Sequence, residues 1–315
     1  MHFVFVMDPV STVKVQTDTS FALMLEAQTR GHRVDHCLAT EVFLDEGAVS
    51  AIVRRAQVAR RAEGPITLGE RETVRLAEVD AVFIRKDPPF DREYLWLTQI
   101  LELLRGKTLV LNDPRGLREA NEKLYTLQFP ELVPETLVTA DEQLIRDFVT
   151  RVGGRAVLKP VDGYAGTGIF SLIPGDANFG SAIETLTEKG RRHVIAQRYL
   201  PEIVQGDKRV LLLEGKPLGA FFRVPQGGDV RSNMRVGGRI EGTELTDADR
   251  RIIARIAPRL LADGLYFVGL DIIGDRLTEV NCTSPTGLQQ MAQITGRNLA
   301  GEVIEAVEAR ARGGN

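Results

Sequence analysis

Gly269-Leu270-Asp271-Ile272-Ile273-Gly274-Asp275-Arg276-Leu277-Thr278-Glu279-Val280-Asn281 reads as two strands joined by a tight turn. Asp271 interrupts an otherwise apolar strand. Aspartate is disfavoured in strands, and burying a lone carboxylate is costly. Glu279 and Asn281 are two residues apart and so share one face. The plainer alternative is a surface hairpin whose polar groups face water, but the apolar flank Tyr266–Leu270 argues for burial. Three converging oxygen donors suit magnesium, a hard cation that completes its shell with water and phosphate. Pairing arithmetic constrains this. A flat two-residue turn at Gly274-Asp275 pairs Asp271 with Thr278 and puts it on the face opposite Glu279. A shared ion therefore requires a three-residue loop, Gly274 to Arg276, or the equivalent bulge.

Outward from this hairpin the chain has two rhythms. From the N-terminus, His2–Met7 reads as a buried strand ended by Asp8-Pro9. Phe21–Arg30 reads as an amphipathic helix stopped by Gly31, and Val34–Leu38 as a second strand. Residues 41–78 show no clear period. Ala81–Ile84 is strand-like, Tyr94–Leu104 helical and Thr108–Leu111 a strand. This β-α-β alternation predicts a parallel-sheet α/β unit. Past Pro114 the pattern changes. Leu117–Phe129 and Glu142–Val152 read as helices, Thr136–Val138 as a short strand. Strands then dominate, at Ala156–Lys159, Ile169–Ile173, Val194–Tyr199, Arg209–Leu213 and Leu218–Val224. Residues 225–242 are glycine-rich with few apolar side chains, which predicts a long lid loop. Asp247–Asp263 is a helix with Thr246 as its N-cap, and Asn298–Arg312 closes the chain.

Composition excludes several classes. The 315 residues are 43% hydrophobic and 26% charged, with net charge −3, so a nucleic-acid or membrane-surface protein is not expected. The arginines of Arg54–Arg61 read as the solvated face of a helix or loop. Two cysteines, Cys37 and Cys282, make no disulfide framework and predict a reduced, cytoplasmic setting. The four histidines form no zinc pattern, and the N-terminus MHFVFVMDP reads as a strand, not a signal peptide.

A second chemical signal is Lys159-Pro160-Val161-Asp162-Gly163-Tyr164-Ala165-Gly166-Thr167-Gly168. Small residues let backbone N–H groups approach phosphate. No Gly-Lys-Ser/Thr follows, so this is no P-loop. A strand follows where a dinucleotide fingerprint opens a helix, which disfavours an NAD-dependent dehydrogenase. A phosphate flap and a plain hairpin turn fit it equally. Lys159 ends the preceding strand within reach of phosphate, and Lys123 is a second cation. Gln197-Arg198-Tyr199-Leu200 offers an adenine edge, Asp207 an acid for ribose, Arg209 and Arg223 cations for an anion. In isolation these last segments read better as a strand end and a charged turn.

Together the segments resemble the ATP-grasp ligases, and within them the bacterial glutathione synthetase family. The resemblance runs over nearly the whole chain. It is carried by MDP at the N-terminus, RKDPPFD (85–91), NEKL (121–124), PETLVT (134–139), GDKRVL (206–211), PQGG (225–228), FVGLDIIGDRLTEVN (267–281) and TSPTG (283–287). It implies a mixed α/β and α+β chain. A Rossmann-like pre-ATP-grasp domain would span 1–120 and a two-lobed ATP-grasp domain 121–315, divided at 200/201, with the lid and magnesium site in the second lobe. It implies that Lys123 and Lys159 contact phosphates and that Gly163, Tyr164, Gly166 and Gly168 form the flap. Gln197, Arg198, Tyr199 and Leu200 would edge adenine and Asp207 meet ribose. Asp271, Glu279 and Asn281 would hold Mg2+ (or Mn2+), with Arg209 and Arg223 beside the transferred phosphoryl group. Arg85, Arg223, Ser284 and Thr286 would bind the peptide substrate. The implied reaction joins γ-glutamylcysteine to glycine with ATP, in a cytoplasmic homotetramer. Another amino-acid-adding ATP-grasp ligase, or a regulator that has lost catalysis, is the alternative; the retained Asp271, Glu279 and Asn281 disfavour the regulator. The chain departs from the family at the flap, where Gly-Tyr-Ala-Gly-Thr-Gly replaces a Gly-Met-Gly-Gly pattern. It also departs at Cys282, where valine is more usual.

Overall fold

The computed structural model describes residues 1–164, 166–224 and 239–313. The N-terminal part runs β1 (His2–Met7), α1 (Thr19–Thr29), β2 (Arg33–Cys37), β3 (Val42–Asp45), β4 (Ala48–Val58), β5 (Ile66–Arg75), β6 (Ala81–Arg85), α2 (Arg92–Glu102), β7 (Leu109–Leu111) and α3 (Pro114–Glu119). Strands β2, β1, β6 and β7 are mutually parallel. Strands β1, β6 and β7 are apolar nearly throughout because helices cover both faces. Residues 41–78, which lack a period, form antiparallel ribbons: β4 pairs antiparallel with β2, β3 and β5. The sheet is therefore mixed, not purely parallel. Arg54 and Arg55 lie within β4, not on a helix or loop. Ribbon β5 is mostly exposed, so its charges hide the strand period.

Two helices differ from expectation. The first half of α1 is buried on all sides, because the sheet lies beneath it and the chain's last helix lies against it. It has no clear polar face, although Asp18 caps its N-terminus as an N-cap should. The segment 117–129 is not one helix. Helix α3 ends at Glu119, and a short 3-10 turn covers Leu124–Gln128 after Asn121 accepts the backbone N–H groups of Lys123 and Leu124.

The next lobe has its own core. It holds β8 (Thr136–Thr139), α4 (Glu142–Arg151), β9 (Ala156–Pro160), β10 (Phe170–Leu172), α5 (Phe179–Leu186) and β11 (Val194–Arg198). The strands form an antiparallel sheet in the order β10-β9-β11-β8, with both helices packed on it. The sequence pattern does not reveal α5.

The last part holds β12 (Asp207–Leu213), β13 (Lys216–Val224), β14 (Arg239–Thr243), α6 (Asp247–Ala262), β15 (Phe267–Ile273), β16 (Arg276–Asn281), α7 (Leu288–Thr295) and α8 (Leu299–Gly313). Its antiparallel sheet runs β14-β13-β12-β15-β16. Strand β14 takes Arg239–Gly242 out of the expected lid loop; the rest of that loop, 225–238, lies outside the described residues. Thr246 caps α6 through a reciprocal pair with Asp249. The closing helix α8 packs on α1, where Arg30 donates to the Gly301 carbonyl at 3.0 Å and His32 meets Glu308 at 2.7 Å. The first and last elements of the chain thus share one core.

No helix among the described residues is long and apolar enough to cross a membrane.

Candidate active site

Alternation along β12 decides which groups reach the cleft. Val210 and Leu212 face α6, while Asp207 and Arg209 face the other way. Register then lines up a polar row across the sheet. Arg209 is paired with Asp271 of β15, and Asp271 with Glu279 of β16. One row along, Asp207 is paired with Arg223 of β13. The turn Gly274-Asp275 holds two residues, not three, but the register slips after Asp271, so Ile272 pairs with Leu277 and Thr278 is extra. This is the bulge that pairing arithmetic requires as the alternative to a longer loop. Thr278 Oγ1 donates to the Asp271 carbonyl at 3.0 Å. Asn281 follows on the same face and donates to the Gly269 carbonyl at 3.3 Å. Gly269 gives the guanidinium room: a Cβ would sit 3.0 Å from Arg209 Nη1 and press the side chain aside.

Asp271 is not a bare carboxylate. Arg209 Nε and Nη2 reach its two oxygens at 2.6 and 3.2 Å, and Arg223 Nη2 reaches Oδ2 at 2.9 Å. Burial alone would raise its pKa, but the two guanidiniums hold it below the usual carboxylate range. Asp207 bonds to Arg223, yet burial pushes its pKa up, with Asp271 adding repulsion. Arg223 Nε is buried without a hydrogen-bond partner among the described residues. Glu279 pairs with Lys123 at 3.3 Å, and Lys123 also donates to the Gly163 carbonyl. Lys159, on β9, donates to Gln197 Oε1 at 3.1 Å, and Gln197 donates to Thr136. Burial brings the Lys159 pKa down to about 8, although Glu279 opposes this.

These groups line one cleft of about 870 Å³, within the size of small-ligand sites. Its apolar end includes Val157, Ile169, Leu200, Ile203 and Ile273. The cationic and acidic row lies next to it, and Lys14, Asp18, Asp87, Ser284 and Thr286 line the far end. The flap is a turn in which Thr167 donates its N–H and hydroxyl to the Tyr164 carbonyl at 3.1 and 2.7 Å. A Cβ at Gly163 would lie 2.4 Å from the Pro160 ring, so glycine is needed. Gly163, Tyr164 and Gly166 line the cleft; Gly168 packs behind, on Pro160. Gln197, Arg198, Tyr199 and Leu200 all border it. Arg85 does not. It is buried beneath the far end, donating to Ser20 at 3.0 Å and to the Pro285 carbonyl at 3.0 Å. Cys282 is buried and its pKa is raised well above the thiol range by burial, so it is a packing residue.

The residues missed from sequence are supports. Glu122 accepts three hydrogen bonds from Cys282 and Thr283. Asn112 bonds both backbone groups of Phe267 and the Cys282 carbonyl, at 2.7–2.8 Å. Lys208 forms a buried pair with Asp249 at 2.6 Å. Glu122 lies inside the NEKL segment, next to the candidate Lys123, and that is its only signal in the sequence.

The donors fit a divalent ion. Two opposed carboxylates and an amide oxygen share one cleft face, and carboxylate lone pairs remain after arginine contact. Among the described residues no three acidic, histidine or cysteine side chains form a ready cage. That composition suits magnesium, which takes one or two carboxylates and leaves positions for water and phosphate.

Comparison with known proteins agrees. Residues 1–118 match the model of the prokaryotic glutathione synthetase N-terminal domain, and residues 122–296 that of the prokaryotic glutathione synthetase ATP-grasp domain. The chain belongs to the prokaryotic glutathione synthetase family. It is 46% identical to the glutathione synthetase of Brucella melitensis, over 96% of this chain and 97% of that one. It is 47% identical to that of Gloeobacter violaceus (97% and 96% covered) and 43% to that of Salmonella typhi (97% of each). Its fold is that of the ATP-grasp ligase PsnB, solved with a precursor peptide and AMPPNP (TM-score 0.63, 19% identity, 99% and 98% covered). It is also that of D-cycloserine synthetase DcsG (TM-score 0.65, 16% identity, 98% and 100% covered). The chain is an ATP-dependent ligase of this family.

Proposed function

We propose that the chain joins γ-glutamylcysteine to glycine with ATP, giving glutathione, ADP and phosphate. The observation that carries this is the polar row Arg209–Asp271–Glu279, set by register and bulge at the floor of the cleft. Adenine lies against Val157, Leu200 and Ile203, with Gln197–Leu200 at its edge, and Asp207 meets ribose. Lys123, Lys159 and the Gly163–Gly168 flap hold the phosphates. Asp271, Glu279 and Asn281 would hold magnesium, or manganese, which shields the phosphoryl oxygens from one another's charge. Ser284 and Thr286 bind the dipeptide, with Arg85 fixing their loop from behind.

A carboxylate is a poor acyl donor. The cysteinyl carboxylate of the dipeptide attacks the γ-phosphorus, ADP leaves, and an acyl phosphate forms. The amine of glycine then attacks the acyl carbon, and phosphate leaves. Arg209 and Arg223 stabilise charge on the transferring oxygens from fixed positions, so no covalent step on the protein is needed. We read the chain as an N-terminal unit to residue 120 and an ATP-grasp unit beyond it, divided near residue 200, working as a cytoplasmic homotetramer. Size-exclusion chromatography with light scattering checks the assembly. ADP release measured with γ-glutamylcysteine and ATP, with and without glycine, tests the reaction. Absence of glycine-dependent turnover defeats it.

A further inference from the structure

Asn121, Glu122 and Lys123 are consecutive, yet they touch three separate walls of the cleft. Asn121 Nδ2 donates to the Val161 carbonyl at 3.3 Å, at the root of the flap. Lys123 bonds the Gly163 carbonyl and pairs with Glu279. Glu122 turns the other way. Its Oε1 accepts the Cys282 N–H at 3.0 Å, the Thr283 N–H at 3.1 Å and the Thr283 hydroxyl at 2.8 Å. Its own carbonyl accepts the Val280 N–H at 2.8 Å.

Thr283 begins the loop that carries Ser284 and Thr286 into the cleft. Arg85 holds that loop at the Pro285 carbonyl and Arg209 at the Thr286 carbonyl, 3.1 Å away. Glu122 holds its start, one peptide bond from Lys123. Among the described residues Glu122 has no ion pair, so its hydrogen-bonded oxygen depends on the loop. Moving the loop would strip three donors from a buried acceptor, and leaving a buried acceptor unpaired is costly.

We infer that Glu122 is a positioning residue for the peptide substrate, tying the Thr283–Thr286 loop to Lys123 so that the dipeptide subsite is set by the segment that grips the nucleotide. This rests on the reaction proposed above. A path from Lys123 through Glu122 to Thr283 joins the two subsites through one peptide bond and one side chain, so nucleotide and dipeptide should strengthen each other's binding by equal factors.

The test compares Glu122→Ala, Glu122→Gln and Thr283→Val with the parent enzyme. Glutamine keeps an acceptor oxygen where Oε1 stands, whereas alanine removes it. Glu122→Ala should raise KM for γ-glutamylcysteine by about tenfold or more, as expected for losing three buried hydrogen bonds, with the affinity for AMPPNP alone, measured without dipeptide, within about threefold. Glu122→Gln should restore the dipeptide KM to within about threefold of the parent. Thr283→Val, which removes one donor of three, should raise it by about threefold and serves if the alanine variant does not fold. Calorimetry of the dipeptide with and without AMPPNP should show the parent's mutual strengthening reduced in Glu122→Ala. A dipeptide KM unchanged in Glu122→Ala or Thr283→Val overturns the inference, as does a parallel loss of AMPPNP affinity measured without dipeptide or a glutamine variant as impaired as alanine. A parent enzyme without glycine-dependent turnover defeats the reaction itself, a distinct outcome.

Discussion

Replacing Lys159 by methionine should make the ligand-free protein more stable and nearly inactive. Lys159 is 6% exposed, and its ammonium makes one hydrogen bond, to Gln197. Burial lowers its pKa from 10.5 to about 8. At pH 7 the side chain is charged in both folded and unfolded chains, and that difference corresponds to about 3 kcal/mol of cost for keeping the charge inside. Methionine has similar length and no charge. It leaves Gln197 Oε1 without its donor, which costs about 1 kcal/mol. The net gain is about 2 kcal/mol, or roughly 3 °C in Tm for a chain of this size. The pH dependence separates this from better packing. Between pH 8 and 10.5 the unfolded chain binds more protons at this site than the folded one, so parent stability rises with pH there. The advantage of the variant is therefore full below pH 8 and fades as pH climbs towards 10.5. Thermal and urea unfolding without nucleotide, followed by circular dichroism at pH 7 and pH 9, measure it. ADP release should fall at least about a hundredfold, because a phosphate-facing charge is gone. A variant less stable than the parent, or an advantage equal at both pH values, would refute the reasoning.

Glu279→Ala should abolish magnesium-dependent turnover while circular dichroism shows the fold retained, with Tm lowered because buried Lys123 loses its ion pair; near-normal turnover removes it from the site. Asn112→Ala strips partners from three buried backbone groups, those of Phe267 and Cys282. Its expected cost is about 3 kcal/mol in urea unfolding, and a loss under about 1 kcal/mol would show that the backbone finds other partners. Cys282→Val should keep turnover within about twofold, because the thiol is fully buried and fills space. Iodoacetamide should correspondingly leave the native enzyme active; inactivation of the parent but not the variant would give the thiol an exposed role.

Much of the frame was legible because burial writes itself as runs of apolar residues. Strands β1 and β6 were found within a residue, and both are buried nearly throughout. Ribbon β4–β5 was not, because β5 exposes most of its length and its charged, solvated side chains break the strand period. The break between α3 and the turn at Leu124–Gln128 is hidden because Asn121, which starts the turn just after α3 ends, is an ordinary residue in a helical pattern. The hairpin was the opposite case. Its spacing required Asp271 to face Glu279 across a bulge, and Thr278 is the extra residue that makes it so. What spacing within one hairpin could not supply was the other side of the row. Arg209 lies 62 residues from Asp271 in sequence and becomes its neighbour only when β12 pairs with β15. That pairing changes the chemistry of the site. Two arginines already neutralise Asp271, so a divalent ion held there, as proposed, would share its oxygens with them. Each arginine partly freed in this way gains capacity for the phosphoryl oxygens brought in with the ion. On the proposed reaction, the guanidiniums that brace Asp271 would then be the donors directed at the group being transferred.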